Sequence, residues 1–253
     1  MMIRAKALAV GGLRHAFFTR EGGLSEGPFA SLNMGLRSGD APATVAGNRA
    51  LAAAALEVEP SRLVTARQVH GTLCLEVVRP WPMEEAPDAD ALVTRERGLA
   101  IGVLSADCAP VLLADAGAGV VGAAHAGWKG ALGGVLESVV AGMLAAGARL
   151  ERIHAAVGPC IGRRSYEVGP ELEARFVQAD PASAGFFGNA GSRPHLDLEG
   201  YVAMRLGRAG VKRVEALGRD TCAEAERFFS YRRACLSGET RFGLQLSAIA
   251  LGA

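Results

Sequence analysis

The chain has 253 residues, half of them hydrophobic, with 27 basic and 26 acidic side chains and a net charge of +1. That balance, with no basic run and no interleaving of aromatic and basic residues, argues against a nucleic-acid partner. No apolar run reaches the length of a membrane span. The five cysteines (74, 108, 160, 222 and 235) form no CxxC pair and no signal sequence is evident, so free thiols and a cytoplasmic location are expected.

In chain order, residues 14–20 (RHAFFTR) read as a strand that delivers Thr19 and Arg20 to a Gly-rich loop, EGGLSEGPFASLNMG. The turn residues and the polar Ser25, Ser31 and Asn33 suit a lid or an anion cradle, although no phosphate-loop pattern is matched. Asp40 as N-cap with Pro42 in the first turn predicts a helix to about residue 57. Residues 63–69 and 73–78 read as strands around a His70–Gly71 turn, and 79–87 as a Pro-rich connection. A strand, DADALVT, follows, with Asp88 and Asp90 at its start.

The stretch 99–130 reads as strand, turn, strand, turn. The runs LAIGVLS, VLLAD and VVGAAH are short, apolar and bounded by Gly, Pro and Asp, as buried strands are. Leu132, Val135, Leu136, Val139, Val140, Met143 and Leu144 form one apolar stripe, predicting a continuous helix stopped by Gly147. Residues 153–157 read as a strand into GPCIGRRSYEVGPE, and Pro170 and Glu171 open a helix to about residue 178. Residues 179–194 are loop-like, and Leu198, Val202 and Leu206 mark another helix. VEALG is a short strand, and FFSYRR leads to RFGLQLSAIAL, an alternating strand with Phe242, Leu244 and Leu246 on one face. Nothing repeats, and one domain over 1–253 is expected.

Cys108 follows one of the central strands and His125 ends another, while His70 closes the run TARQVH. One thiol and two imidazoles make an open zinc site, three protein ligands leaving one position for water or substrate. A buried free cysteine is also an ordinary small hydrophobe, and the three residues form no compact ligand motif.

The motifs TREGGLSEGPFASLNMG, QVHG, DADALVT, SADCAPVLLAD, AHAGWKG, GPCIGRRSYEVG, HLDL and FFSYRR occur in the order found in the YfiH/YlmD family. These are the laccase-domain or multicopper polyphenol oxidase-like proteins, related to human FAMIN, and the resemblance spans residues 19–241. It implies a single α/β (α+β) domain, a layered α-β-β-α sandwich with mixed sheets similar to cytotoxic-factor-like cysteine hydrolases. It also implies His70, Cys108 and His125 as zinc ligands, the same trio the strand ends suggest.

The activity implied is that of a purine nucleoside phosphorylase. Adenosine, inosine and methylthioadenosine would be split by phosphate to base and ribose 1-phosphate, with adenosine deamination beside it. Cys108 and His125 would serve catalysis, with Asp107 the nearest acid for a proton shuttle. Arg20, Arg232 and Arg233 would hold phosphate on family-motif grounds, and Ser31, Asn33, Arg163 and Tyr166 complete the polar motif-loop set. Partners would be purine nucleosides and phosphate, with the protein a monomer or homodimer.

The chain has HAG and PCIG where cytidine-type zinc deaminases have HxE and PCxxC. Copper and laccase activity are also attributed to the family, but five histidines are too few for a multicopper cluster once two are used for zinc. Two further readings stay open. One is a cysteine amidase with Cys108 as nucleophile and His125 or His70 as base, editing peptidoglycan precursors. The other is a non-catalytic metal- or partner-binding protein.

Overall fold

Strands apolar on both faces must be covered on both faces, and helices do the covering. A computed structural model describes residues 2–189 and 193–252. The first half of the chain forms β1 (Met2–Ile3), β2 (Leu13–Phe18), α1 (Pro42–Ala55), β3 (Leu63–Thr65), β4 (Cys74–Glu76) and β5 (Ala91–Thr94). The central stretch forms β6 (Ala100–Ser105), β7 (Ala109–Asp115), β8 (Val120–Ala126), α2 (Trp128–Gly133) and α3 (Val135–Ala145). Next come β9 (His154–Val157), α4 (Pro170–Ala179), β10 (Phe187–Asn189), β11 (Pro194–Leu196) and α5 (Leu198–Arg208). The chain closes with β12 (Arg213–Ala216), α6 (Tyr231–Leu236) and β13 (Gln245–Leu251).

Two mixed sheets stack face to face. One has the order β1-β2-β13-β6-β3, the other β12-β9-β7-β8-β5-β4. Side-chain alternation divides their residues into three apolar layers. Phe17, Ile101, Ile249, Leu112 and Val121 meet between the sheets. Phe18, Leu246 and Ala248 face the outer helix α1 through Ala52, Ala53 and Leu56. Val111, Leu113 and Ala124 face Val139 and Met143 of α3 and Tyr201 and Val202 of α5. The architecture is the layered α-β-β-α sandwich that the resemblance implies.

Several elements differ from the reading of the sequence. The apolar stripe 132–144 is two helices, because Gly134 adopts φ +108° and breaks the hydrogen-bond ladder between α2 and α3. Gly147 does follow α3 in the left-handed conformation, at φ +96°. Ala41, not Asp40, is the N-cap of α1. The Asp40 carboxylate instead accepts hydrogen bonds from Ser25 and Asn33, tying down the Gly-rich loop.

The strands expected over 63–69 and 73–78 shrink to β3 and β4, since the chain between them is drawn out of the sheets around His70. Helix α6, capped by Ser230 accepting from the Arg233 N–H, had no periodic signal in FFSYRR. Phe242 and Leu244 precede β13 rather than lying in it. The loop expected over 179–194 contains a 3-10 turn at Pro181–Phe186 and the hairpin strands β10 and β11, while residues 190–192 lie outside the described residues.

Gly102, in β6 between β13 and β3, stands where a side chain has no room. A Cβ there would lie 2.8 Å from the Ser247 carbonyl oxygen and 2.9 Å from the Ala248 Cβ. Gly102→Val should cost about 1–3 kcal/mol of stability, as overpacking does, read as a lowered urea midpoint with an unchanged slope.

Candidate metal centre

The donors converge because β7 and β8 are antiparallel neighbours with Pro110 opposite His125. Cys108, two residues before Pro110, therefore emerges beside His125 on the same face. Asp107, at φ +90°, makes the turn that delivers it. β5 flanks β8, and the His125 N–H donates to the Asp90 carbonyl at 2.7 Å, so Asp90 lies against the histidine.

The Asp90 side chain organises the rest. Its residue is 1% exposed, and both carboxylate oxygens are occupied. Oδ1 pairs with His125 Nδ1 at 2.8 Å and accepts the His70 N–H at 3.0 Å. Oδ2 accepts the Gly71 N–H at 2.7 Å and the Val69 N–H at 3.1 Å. Burial alone would raise this carboxyl, but the bond from His125 and those from the backbone hold it below its ordinary value. Three successive N–H groups wrapped on one carboxylate keep His70 at φ +59°, a conformation a non-glycine residue rarely takes. With Nδ1 on Asp90, His125 turns Nε2 toward Cys108, the orientation a carboxylate imposes on metal-binding histidines.

One atom from each of His70, Cys108 and His125 lies within 4.8 Å of the others. Cys108 Sγ is 3.9 Å from His70 Nε2, and the two imidazoles meet edge to face with centroids 4.9 Å apart. Burial by itself pushes the Cys108 thiol up, yet the charges and hydrogen bonds of His125 and His70 bring it down to about 6. Burial pushes Cys74 up to about 12 and Cys160 well above its ordinary value. Gly127 closes the floor: a Cβ there would stand 2.8 Å from Cys108 Sγ and 3.0 Å from His70 Cδ2.

A thiolate and two imidazoles, with one imidazole oriented by a carboxylate and space kept clear by a glycine, fit an open site for zinc. They do not extend to a copper cluster. The His15 Nε2 accepts from the Ala5 N–H, His154 Nδ1 meets the Ala7 carbonyl, and His195 Nδ1 meets that of Arg193. Among the described residues the trio is the one group of this kind.

The trio opens onto two cavities. The larger, about 560 Å³, touches all three donors and is walled by Met34, Leu36, Met83, Leu104, Phe242 and Leu244. The smaller, about 330 Å³, touches His70 and Cys108 and carries Asp107, Lys129, Tyr166 and Arg232. Arg232 holds its own place by donating to the Glu167 carbonyl at 2.7 Å and lying over the Tyr166 ring at 5.6 Å. Asp107 accepts from Thr221 Oγ1 at 2.7 Å and the Arg232 N–H at 2.6 Å, so it fixes the start of α6.

Of the residues singled out in the sequence, His70, Cys108, His125, Asp107, Tyr166 and Arg232 come together here. Arg20 and Arg233 do not. They line a separate cavity of about 510 Å³, and their guanidinium groups donate to backbone carbonyls at Ala30, Ala225, Thr221, Cys222 and Phe228. Ser31 and Asn33 brace the Gly-rich loop through the Arg20 carbonyl, Ser38, Asp40 and the Leu244 N–H. Arg163 is exposed, with its guanidinium against Gly188. Asp90, Gly127 and Lys129 were not singled out for the site. Asp90 was visible as the acid opening the strand DADALVT; nothing local announced its partners.

Because Asp90 holds both histidine-bearing segments, Asp90→Ala should weaken zinc binding by roughly 10- to 100-fold, as loss of an orienting carboxylate does. Competition titration with a chromophoric chelator measures this. Unchanged affinity would show that Asp90 plays no part in arranging the donors.

A family model described as multi-copper polyphenol oxidoreductase laccase matches residues 14–252. A protein of Deinococcus radiodurans named purine nucleoside phosphorylase is 45% identical over 92% of this chain and 87% of its own length. The crystal structure of NMB0706 from Neisseria meningitidis superposes with a TM-score of 0.89 at 33% identity, covering 100% of this chain and 99% of that one. YlmD from Geobacillus stearothermophilus gives 0.88 at 30% identity, covering 100% and 96%. The family model spans nearly the whole chain and the fold superposes on these structures, and the chain belongs to the multi-copper polyphenol oxidoreductase laccase family, that of the YfiH and YlmD proteins.

Proposed function

We propose that this protein is a zinc-dependent purine nucleoside phosphorylase acting on adenosine, inosine and methylthioadenosine. The observation that carries the reading is the placement of the His70–Cys108–His125 trio between an apolar cavity and a basic one. A flat purine suits the first, walled by Met34, Leu104 and Phe242; phosphate suits the second, where among the described residues neither the Arg232 guanidinium nor the Lys129 ammonium is ion-paired with a carboxylate. The relative from Deinococcus radiodurans carries the corresponding name.

In phosphorolysis the C1′–N9 bond breaks with its electron pair passing to the base, a phosphate oxygen bonds to C1′, and the departing base takes up the proton that hydrogen phosphate gives up. Arg232 and Lys129 hold the phosphate charge, and Asp107 fixes Arg232 through its backbone. The apolar wall excludes water, which would otherwise compete with phosphate for C1′. His70, Cys108 and His125 would hold the zinc, which when bound would supply a Lewis acid beside the reacting groups.

Adenosine deamination needs in addition an acid free to carry a proton. Asp90 and Asp107 each have both carboxylate oxygens engaged, so phosphorolysis is the better-supported activity of the two.

Incubation with inosine should release hypoxanthine and ribose 1-phosphate only when orthophosphate is present. Arg232→Ala should cut the rate roughly 100-fold, the lower end for loss of one charge-stabilising donor. Arg233→Ala, outside the site, should leave the KM for phosphate unchanged while lowering the melting temperature. No base release from zinc-loaded protein, together with Cys108-dependent cleavage of a muropeptide amide, would replace this reading with that of a cysteine hydrolase.

A further inference from the structure

The cavity lined by Arg20 and Arg233 has no part in the roles above. It measures about 510 Å³, within the range of small-molecule sites, and Arg241 lines it with them. Among the described residues none of the three guanidinium groups is ion-paired with a carboxylate. Arg20 donates to the Ala30 carbonyl at 2.7 Å and the Ala225 carbonyl at 3.1 Å. Arg233 donates to the carbonyls of Thr221, Cys222 and Phe228. Arg241 makes no hydrogen bond among the described residues and rests 5.9 Å from the Phe29 ring.

Carbonyl partners fix a guanidinium in place without neutralising it. Burial, and then the charge of Arg233, push the Arg20 guanidinium below its ordinary value, against the pull of Glu226 and Glu239. Like charges held side by side in a partly buried cavity repel one another, and an anion among them relieves that repulsion. Because Arg20 and Arg233 are already braced, little ordering of these two side chains remains when such a ligand arrives.

The rest of the lining narrows the class of anion. Glu239 shares the wall with the hydroxyl residues Ser237 and Thr240, and its carboxylate is in no ion pair among the described residues. An ionised carboxylate only accepts hydrogen bonds. Beside the arginines it repels a bare phosphate and calls for a ligand that brings donors of its own, as sugar hydroxyls do.

We propose that this cavity is a second binding site, for a sugar phosphate whose phosphate lies among Arg20, Arg233 and Arg241 and whose hydroxyls donate to Glu239. It adjoins the 560 Å³ cavity of the metal centre, the two sharing Phe242 as a lining residue, but contains none of the three metal donors. Binding there needs neither zinc nor turnover, so it stands or falls apart from the phosphorylase reading.

Calorimetric titration of the full-length protein with ribose 5-phosphate, ribose and orthophosphate tests the site. The titrations are repeated on Arg232→Ala, which removes the phosphate contact proposed at the metal centre. Ribose 5-phosphate should bind both proteins with the same affinity. In Arg232→Ala, ribose and orthophosphate should each bind roughly 10-fold more weakly or worse, since each lacks the charged hydrogen bonds made by the other half of the ligand. Arg241→Ala, which loses no internal hydrogen bond, should weaken ribose 5-phosphate by roughly 10- to 150-fold with an unchanged melting temperature. Glu239→Gln should weaken ribose 5-phosphate but not orthophosphate, because it removes a repelling charge.

No binding of ribose 5-phosphate by the wild-type protein would overturn the assignment, and needs no variant to fold. Binding that disappears in Arg232→Ala would place the ligand at the metal centre and overturn it too, as would binding that survives intact in Arg241→Ala. Orthophosphate bound as tightly as ribose 5-phosphate in Arg232→Ala would overturn the sugar-phosphate class.

Discussion

A single buried carboxylate with every acceptor position in use arranges the donors. Asp90 receives three backbone N–H groups from the segment carrying His70 and the ring of His125, which belongs to a strand of the six-stranded sheet. Such a group is destabilising if any partner is withdrawn, because an ionised oxygen would be left dry and unmatched. The same bonds that make Asp90 tolerable in the interior therefore fix the backbone of one ligand and the ring orientation of another. Cys108 needs no such help: β7 and β8 place it beside His125 by register alone.

The sandwich explains why two dissimilar cavities meet at this point. Cys108 emerges where β7 begins, at the end of the six-stranded sheet, and the segments around it come from distant parts of the chain. On one side, the loop at Met34 and Leu36 and the stretch before β13 supply an apolar wall with Arg49 of α1 set into it. On the other, the start of α6 and the loop around Tyr166 supply Arg232, held by Asp107. The two environments meet at the His70–Cys108–His125 trio.

Periodicity carried much of the architecture. The three apolar runs between residues 99 and 125 are β6, β7 and β8, and the Cys108–His125–His70 trio could be proposed from their ends. What sequence hides is long-range pairing. Nothing near Asp90 says that four donors will gather on it, and nothing in the helix expected after Pro42 marks Arg49 as buried with Val45 and Ala52. Arg20 and Arg233 resembled phosphate ligands because they are cationic and lie in motifs; their carbonyl partners show them to be loop braces beside another cavity. The split at Gly134 is not legible in the apolar stripe, which measures spacing and not backbone conformation.

The claim on which the rest turns is that His70, Cys108 and His125 together hold one zinc. X-ray absorption at the zinc edge of the loaded protein tests it directly. The account predicts one sulfur at about 2.3 Å and two imidazole nitrogens at about 2.0–2.1 Å, with a light atom completing the shell, and loss of the sulfur scatterer in Cys108→Ser. A first shell without sulfur, or one that keeps its sulfur in Cys108→Ser, would contradict it.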